Sequence, residues 1–149
     1  MRRRAVLAQS LVLGAVAVTV ATASAAAPKA QYSNAAVVHA FGTVNIKLHG
    51  RPAGNHSQPV TAYTAVVPAT VTHKKPWAVQ VWVYPDSDVA AQAYTVGIPS
   101  WRANGLATAH LENLIVTVVP KGVSIGTTAP AFPMPVLVTK ALTKLQQSH

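Results

Sequence analysis

The segment from Trp77 to Tyr84 constrains the fold most, because it carries bulky side chains on both faces of one extended strand. Alternate residues of a strand point to opposite sides of a sheet. One face of this segment therefore carries a Trp and three Val, and the other carries Trp82 and Tyr84 beside an Ala and a Gln. A strand that is bulky on both faces is typical of a sheet covered on both sides. We predict a central strand here, ended by Pro85.

A helix is predicted directly after this strand. Asp86 or Ser87 can accept a hydrogen bond from a free backbone N–H of the first turn and so cap the helix. Gly97 and Pro99 are typical of a helix end. The predicted helix therefore runs from Asp86 to Val96.

The other elements follow from the same two periodicities, since helical spacing of apolar residues predicts helices and alternation predicts strands. The predicted segments are helices over Ser33–Phe41 and Val136–Gln147, strands over Thr43–Leu48, Val60–Val67 and Leu111–Val119, a loop over Gly50–Pro59, and a loop or weak strand over Ile98–Gly105. Together they predict one α+β domain over residues 33–149. Its helices pack on a mixed or antiparallel sheet of about four strands.

Residues 1–25 have the organisation of a secretory signal peptide. Three arginines follow Met1, an apolar run comes next, and Ala23-Ser24-Ala25 offers the small side chains that signal peptidase requires. Residues 26–32 are predicted to form a flexible leader. The protein is therefore expected outside the cell or in the cell envelope. The alternative is an uncleaved membrane anchor, because the apolar run reaches the roughly 17–25 residues that span a bilayer.

The charge balance suggests which partners this chain attracts. It has 12 Lys and Arg against 3 Asp and Glu, with a formal net charge of +9 and no cysteine. Without disulfides, packing alone must hold the fold. A basic exported protein is attracted to anionic material, so the predicted partners are an anionic envelope polymer, a lipid surface or a partner protein. The alternative is that the charge serves solubility only. The bases are scattered along the sequence and no groove-reading motif is present, so nucleic acid is not predicted as a partner.

Aromatic and histidine side chains are the candidate binding residues. Trp82 and Tyr84 share a strand face and, with Trp101, could form a platform for a sugar, an apolar tail or a partner protein. The alternative is that this face only supports the following helix. His49 precedes the predicted loop and His56 lies within it, and the two are a second candidate pair. The alternative is a mobile loop with two surface histidines. The six histidines lack the spacing of a metal site, and no metal or cofactor is predicted.

Ser100 and His110, with Asp86 as the acid, supply the residue types of a serine hydrolase. However, the residues around Ser100 do not form the G-x-S-x-G elbow of such enzymes. We therefore predict a non-catalytic protein that acts by binding. The alternative is a small secreted hydrolase that uses Ser100 and His110, which requires these two side chains to lie within hydrogen-bond reach.

Three segments are similar to small exported bacterial proteins of unknown function. Trp77–Asp86, with the Ala-rich helix after it, resembles a strand-to-helix unit of these proteins. Val37–Gly42 resembles their first helix and Asn113–Val119 a later strand. The resemblance implies an α+β fold and carries over no catalytic residue.

Overall fold

The computed structural model describes residues 31–54, 60–71, 74–122 and 132–148, which contain three helices and a five-stranded sheet. The helices are α1 (Asn34–Gly42), α2 (Ser87–Ala103) and α3 (Val136–Gln147). The strands are β1 (His49–Arg51), β2 (Thr61–Val67), β3 (Trp77–Val83), β4 (Ala107–Leu111) and β5 (Leu114–Pro120). Their spatial order is β1-β2-β3-β5-β4, and every neighbouring pair is antiparallel. The fold is therefore α+β as predicted, with one strand more than expected.

Strand β3 is the centre of the sheet. Each of its residues pairs with β2 on one side and with β5 on the other. Val81 lies opposite Tyr63 and Val116, and its side chain has 0% exposure. The predicted central strand is therefore confirmed, with Val81 in the core.

The first face of the sheet packs against α1 and α3, and on β3 it carries Trp77, Val79, Val81 and Val83. Helices α1 and α3 also contact each other. Three fully buried side chains of α3 join this core: Val138, Ala141 and Leu145. The C-terminal helix therefore docks onto its own domain, as its apolar stripe predicts.

Two of the helices begin at the caps that their sequences suggest. The Ser33 hydroxyl accepts a hydrogen bond from the Ala36 N–H at 3.1 Å, and the Asp86 carboxylate accepts one from the Val89 N–H at 2.8 Å. Both bonds satisfy donors of the first helical turn that have no partner inside the helix.

Helix α2 is longer than predicted, because it continues through Gly97 and Pro99 to Ala103. A proline inside a helix removes the hydrogen bond to the carbonyl four residues before it, here that of Thr95. Both Thr95 and Pro99 are exposed, so water can take the place of that bond. The expected loop or weak strand over residues 98–105 is therefore wrong.

The strand predicted over Thr43–Leu48 is also wrong. Val44 and Ile46 are buried as the alternation suggests, but the backbone turns between them, with Asn45 at a φ of 61°. The strand β1 instead follows this turn, in a segment expected to start a loop.

The predicted strand over Leu111–Val119 is two strands. Leu111 ends β4 and pairs with Leu114 at the start of β5, so Glu112 and Asn113 form a two-residue turn between them. Glu112 has a φ of 50°, which this tight reversal requires. Strand β4 has a weak sequence signal because it consists of alternating Ala and Thr residues followed by His110.

The predicted signal peptide over residues 1–25, most of the leader and His56 lie outside the described residues. Among the helices that the structure describes, none is long and apolar enough to cross a membrane.

Candidate functional site

The second face of the sheet carries two rows of side chains that run across all five strands. The first row consists of Arg51, Ala62, Trp82, Ile115 and His110. The second row consists of His49, Thr64, Gln80, Thr117 and Thr108. The register therefore places a row that includes Trp82 and His110 directly beside a row of side chains that can all donate or accept hydrogen bonds.

An aromatic stack lies over the first row and joins β3 to α2 and β4. The ring centroids of Trp82 and Trp101 are 6.1 Å apart with the planes 15° from parallel. Tyr94 lies 6.0 Å from Trp101 and 5.0 Å from the His110 ring. The Arg51 guanidinium carbon lies 5.8 Å from the Trp82 ring centroid, within the range of a cation–π contact. These contacts fix both indole rings.

Gly97 is the residue that lets Trp101 take this position. A Cβ atom at Gly97 would lie 2.4 Å from the six-membered part of the Trp101 ring. The two residues are one helical turn apart, so their positions lie on the same face of α2. The missing side chain of Gly97 thus allows the indole to lie against the helix.

A cavity of about 220 Å³, here called the indole cleft, lies between the second face of the sheet and the C-terminal end of α2. Trp82 and Trp101 supply its aromatic surface. Gln80, Thr117 and Asn104 supply amide and hydroxyl groups. No ionisable side chain is among the described residues that line it. The lining of the cleft therefore combines apolar surface with amide and hydroxyl groups and carries no charge.

The polar groups of the indole cleft make few hydrogen bonds within the fold. Among the described residues, no hydrogen bond is formed by the side chain of Gln80, which is half-buried, or by that of Thr117, which is 1% exposed. The Asn104 amide N–H donates to the Ser100 carbonyl at 2.9 Å, which leaves the Asn104 side-chain oxygen as an acceptor. The buried Nε1 donor of Trp82, a lining residue, also has no acceptor among the described residues.

The predicted platform residues separate into two places. Trp82 and Trp101 come together in the indole cleft, whereas Tyr84 lies beneath α2 against Ala90 and is 7% exposed. Burial raises the pKa of the Tyr84 hydroxyl. Trp82 and Tyr84 both belong to the core under α2, so this face also supports the helix.

The two candidate histidines are not seen together. His49 is exposed at the edge of the sheet, in the second row. His56 is outside the described residues. Among the residues with described positions, no group of three His, Asp or Glu side chains comes together to hold a metal ion.

Ser100 and His110 do not form a catalytic pair in this structure. His110 Nε2 lies 2.8 Å from the Glu112 backbone carbonyl, and the His110 ring stacks on Tyr94. Ser100 is exposed near the end of α2, 3.5 Å from the Asn104 amide nitrogen. No hydrogen bond joins Ser100 to His110, and the hydrolase alternative requires that bond.

Asn113 is a structural centre that sequence reasoning missed. Its side-chain oxygen accepts from the Tyr32 N–H at 2.7 Å, and its amide donates to the carbonyls of Tyr32 at 3.1 Å and Tyr84 at 2.9 Å. Burial, and secondarily the Glu112 carboxylate, raise the pKa of the Tyr32 hydroxyl. A cavity of about 570 Å³ lies beside Asn113. The Asn113 side chain already uses its oxygen and its amide to join Tyr32 to Tyr84 at the end of β3, so it is not available to a ligand there. A turn asparagine has no sequence signal for such a contact.

Comparison with protein-family models, curated proteins and solved structures finds no match for this chain. The similarity to small exported bacterial proteins therefore stays a prediction.

Proposed function

We propose that this chain is a non-catalytic exported or cell-envelope protein that acts by binding a ligand in the indole cleft. The observation that carries the proposal is the cleft itself, in which two indole rings lie beside Gln80 and Thr117, whose side chains make no hydrogen bond to the described residues. Apolar walls with a few polar groups that converge are the usual composition of a ligand site.

The size of the cleft limits what it can enclose. Its volume of about 220 Å³ is below the roughly 300–1,000 Å³ of pockets that bury a drug-sized molecule. One small ring, or one unit of a longer molecule, is therefore the part that the cleft would hold.

The predicted location and the positive net charge of the protein both favour an anionic partner. An export signal at residues 1–25 would bring the protein to the envelope or beyond it. There the mature chain, which loses Arg2, Arg3 and Arg4 with the signal and keeps nine bases against three acids, carries a net charge of +6. This charge favours anionic polymers and lipid headgroups over neutral or basic partners.

Tryptophan fluorescence tests this proposal directly, because two of the three tryptophans line the cleft. The purified protein is titrated with a panel of glycans and lipid vesicles, and a saturable change in emission is expected with at least one of them. Gln80→Ala and Thr117→Val should weaken that binding, since each removes a hydrogen-bonding group from the cleft.

Thr64→Val is the matched control. Thr64 belongs to the same row as Thr117, but its hydroxyl donates to the Val79 carbonyl at 3.3 Å and it does not line the cleft. Its binding should equal that of the parent. The proposal fails if no member of the panel binds, or if all three variants bind equally well.

A further inference from the structure

The charged side chains next to the central strands divide between the two ends of the sheet. Asp86 follows the end of β3, and Glu112 lies in the turn before β5, so both acids are at one end. Lys75 precedes β3 and Lys121 follows β5, so both lysines are at the other end. The Lys121 N–H donates to the Pro76 carbonyl at 2.8 Å, which holds the two lysine segments together.

The end that carries Lys74, Lys75 and Lys121 is here called the lysine end. All three side chains are exposed. The bases are scattered in the sequence, but the antiparallel pairing of β3 with β5 brings these three together. Arg102, near the C-terminus of α2, lies toward the same end, because α2 runs back to the start of β4.

The indole cleft opens beside the lysine end. Ala78 and Val119 pair with each other and both line the cleft. Lys121 lies two residues beyond Val119, in the turn that follows β5. Arg102 directly follows Trp101, another lining residue. The uncharged cleft thus includes the strand residues nearest the lysine end, while Asp86 and Glu112 are at the far end of the strands.

From this arrangement we infer that the ligand is an anionic polysaccharide. One sugar ring enters the indole cleft, and the acidic groups of the neighbouring units lie on the lysine end. This inference rests on the proposed binding function and names the ligand class for the same site.

Each part of the cleft matches the chemistry of a sugar ring. Hydroxyl groups both donate and accept hydrogen bonds, as do the Gln80 amide and the Thr117 hydroxyl. The apolar C–H face of a sugar packs against an indole such as Trp101. A lipid surface would use the lysines but has no group that requires a cleft with this polar lining.

The test compares three probes by fluorescence titration of the purified protein: polygalacturonate as an anionic polysaccharide, dextran as a neutral one, and phosphatidylglycerol vesicles as an anionic surface. We expect polygalacturonate to bind more tightly than dextran and more weakly as salt is added. Replacing Lys74, Lys75 and Lys121 by Gln should weaken polygalacturonate binding at low salt by at least about tenfold. Gln80→Ala should weaken it as well.

Lys140→Gln with Lys144→Gln is the control, because both lysines are exposed on α3, which packs on the opposite face of the sheet. This variant should bind within about twofold of the parent, as scattered exposed charges contribute little. Thermal unfolding of every variant is measured as well, and an unchanged midpoint is expected for each lysine variant because all the replaced lysines are exposed.

The other outcomes separate the two proposals. If the triple lysine variant binds polygalacturonate as tightly as the parent while Gln80→Ala does not, the lysines do not contact the polymer. The inference of an anionic ligand then falls and the binding function stands. If only the vesicles bind, and Gln80→Ala has no effect, the lysine end is a membrane contact and both proposals for the cleft fail. Failure of every probe to bind overturns the anionic polysaccharide.

Discussion

Gly97 controls the position of one wall of the indole cleft, and replacing it should displace Trp101. A methyl group there would overlap the indole, which already packs on Trp82 and Tyr94. Alanine favours a helix over glycine by about 1 kcal/mol, but overpacking costs about 1–3 kcal/mol. We expect Gly97→Ala to lower the free energy of unfolding and to reduce the near-UV circular dichroism of the tryptophan pair.

Gly42→Ala is the control for that change. Gly42 is the last residue of α1, and a Cβ atom there would have no neighbour within 4 Å. It should leave the stability unchanged or raise it by up to about 1 kcal/mol. Equal stability of the two variants, with an unchanged near-UV spectrum, would show that Trp101 moves aside without cost.

Asn113 should be the most sensitive polar residue of the described chain. Asn113→Ala would leave the Tyr32 N–H and the Tyr84 carbonyl without their side-chain partner, at a cost of about 3 kcal/mol in the free energy of unfolding. Asn113→Asp keeps the acceptor but turns a second oxygen toward two carbonyl groups, which raises the pKa of the new carboxyl in the folded state.

The pH dependence of Asn113→Asp follows from that shift. A group whose pKa is raised on folding stabilises the protein when protonated, and this contribution is lost as the pH rises through the folded-state pKa. Relative to the parent, the variant should therefore recover stability as the pH falls. Urea denaturation at several pH values measures this, and a pH-independent difference between the two proteins would contradict it.

At the scale of residues, the sequence predicts local contacts well and distant ones poorly. The caps at Ser33 and Asp86 involve backbone groups three residues away, so the chain itself determines them. The stacking of Trp101 on Trp82 depends on α2 continuing past two helix breakers. Nothing in the local sequence indicates that tertiary packing outweighs the tendency of Gly97 and Pro99 to end a helix.

The secondary-structure elements also divide into those that their own sequence predicts and those that depend on a neighbouring strand. Strand β3 and helix α3 have strong apolar periodicity and were predicted within one residue of their observed bounds. Strands β1 and β4 lie at the sheet edges and contain few large apolar residues. Their extended form comes from hydrogen bonding to the neighbouring strand, and the apolar pattern of one segment alone does not predict that pairing.

Three residues of helix α3 that differ in burial test whether this helix packs on its own domain. Leu145 is 1% exposed, Leu142 is half-buried and Val136 is 66% exposed. Leu145→Ala should lower the free energy of unfolding by about 2–5 kcal/mol. Leu142→Ala should cost less than Leu145→Ala, and Val136→Ala should change the stability by no more than about 0.5 kcal/mol. Urea denaturation of the three variants measures the order.

Removing α3 altogether should be more damaging. Truncation before Val136 would expose the first face of the sheet where Val138, Ala141 and Leu145 now cover it. An aggregating or unfolded product is expected. A soluble, folded product that only loses affinity for lipid vesicles would mean that α3 is a membrane-binding element.

At the scale of the whole molecule, export remains the prediction on which the proposed location depends. Ala23-Ser24-Ala25 predicts cleavage before Ala26, because a cut after Ala27 would place Pro28 first. Mass spectrometry of the secreted protein should give a mature chain that begins at Ala26. Recovery of only the intact chain, in the membrane fraction, would support the anchored alternative.

The separation of charge along the sheet also gives the molecule an orientation. Tyr32 is bonded to Asn113 beside Glu112, so the chain enters the domain at the acidic end, about 20 Å along β3 from the lysines. If the N-terminal segment is retained as a tether, it joins the domain at this acidic end, whereas Lys74, Lys75 and Lys121 lie at the opposite end of the central strands. The tether and the three lysines would then be separated by the length of the sheet.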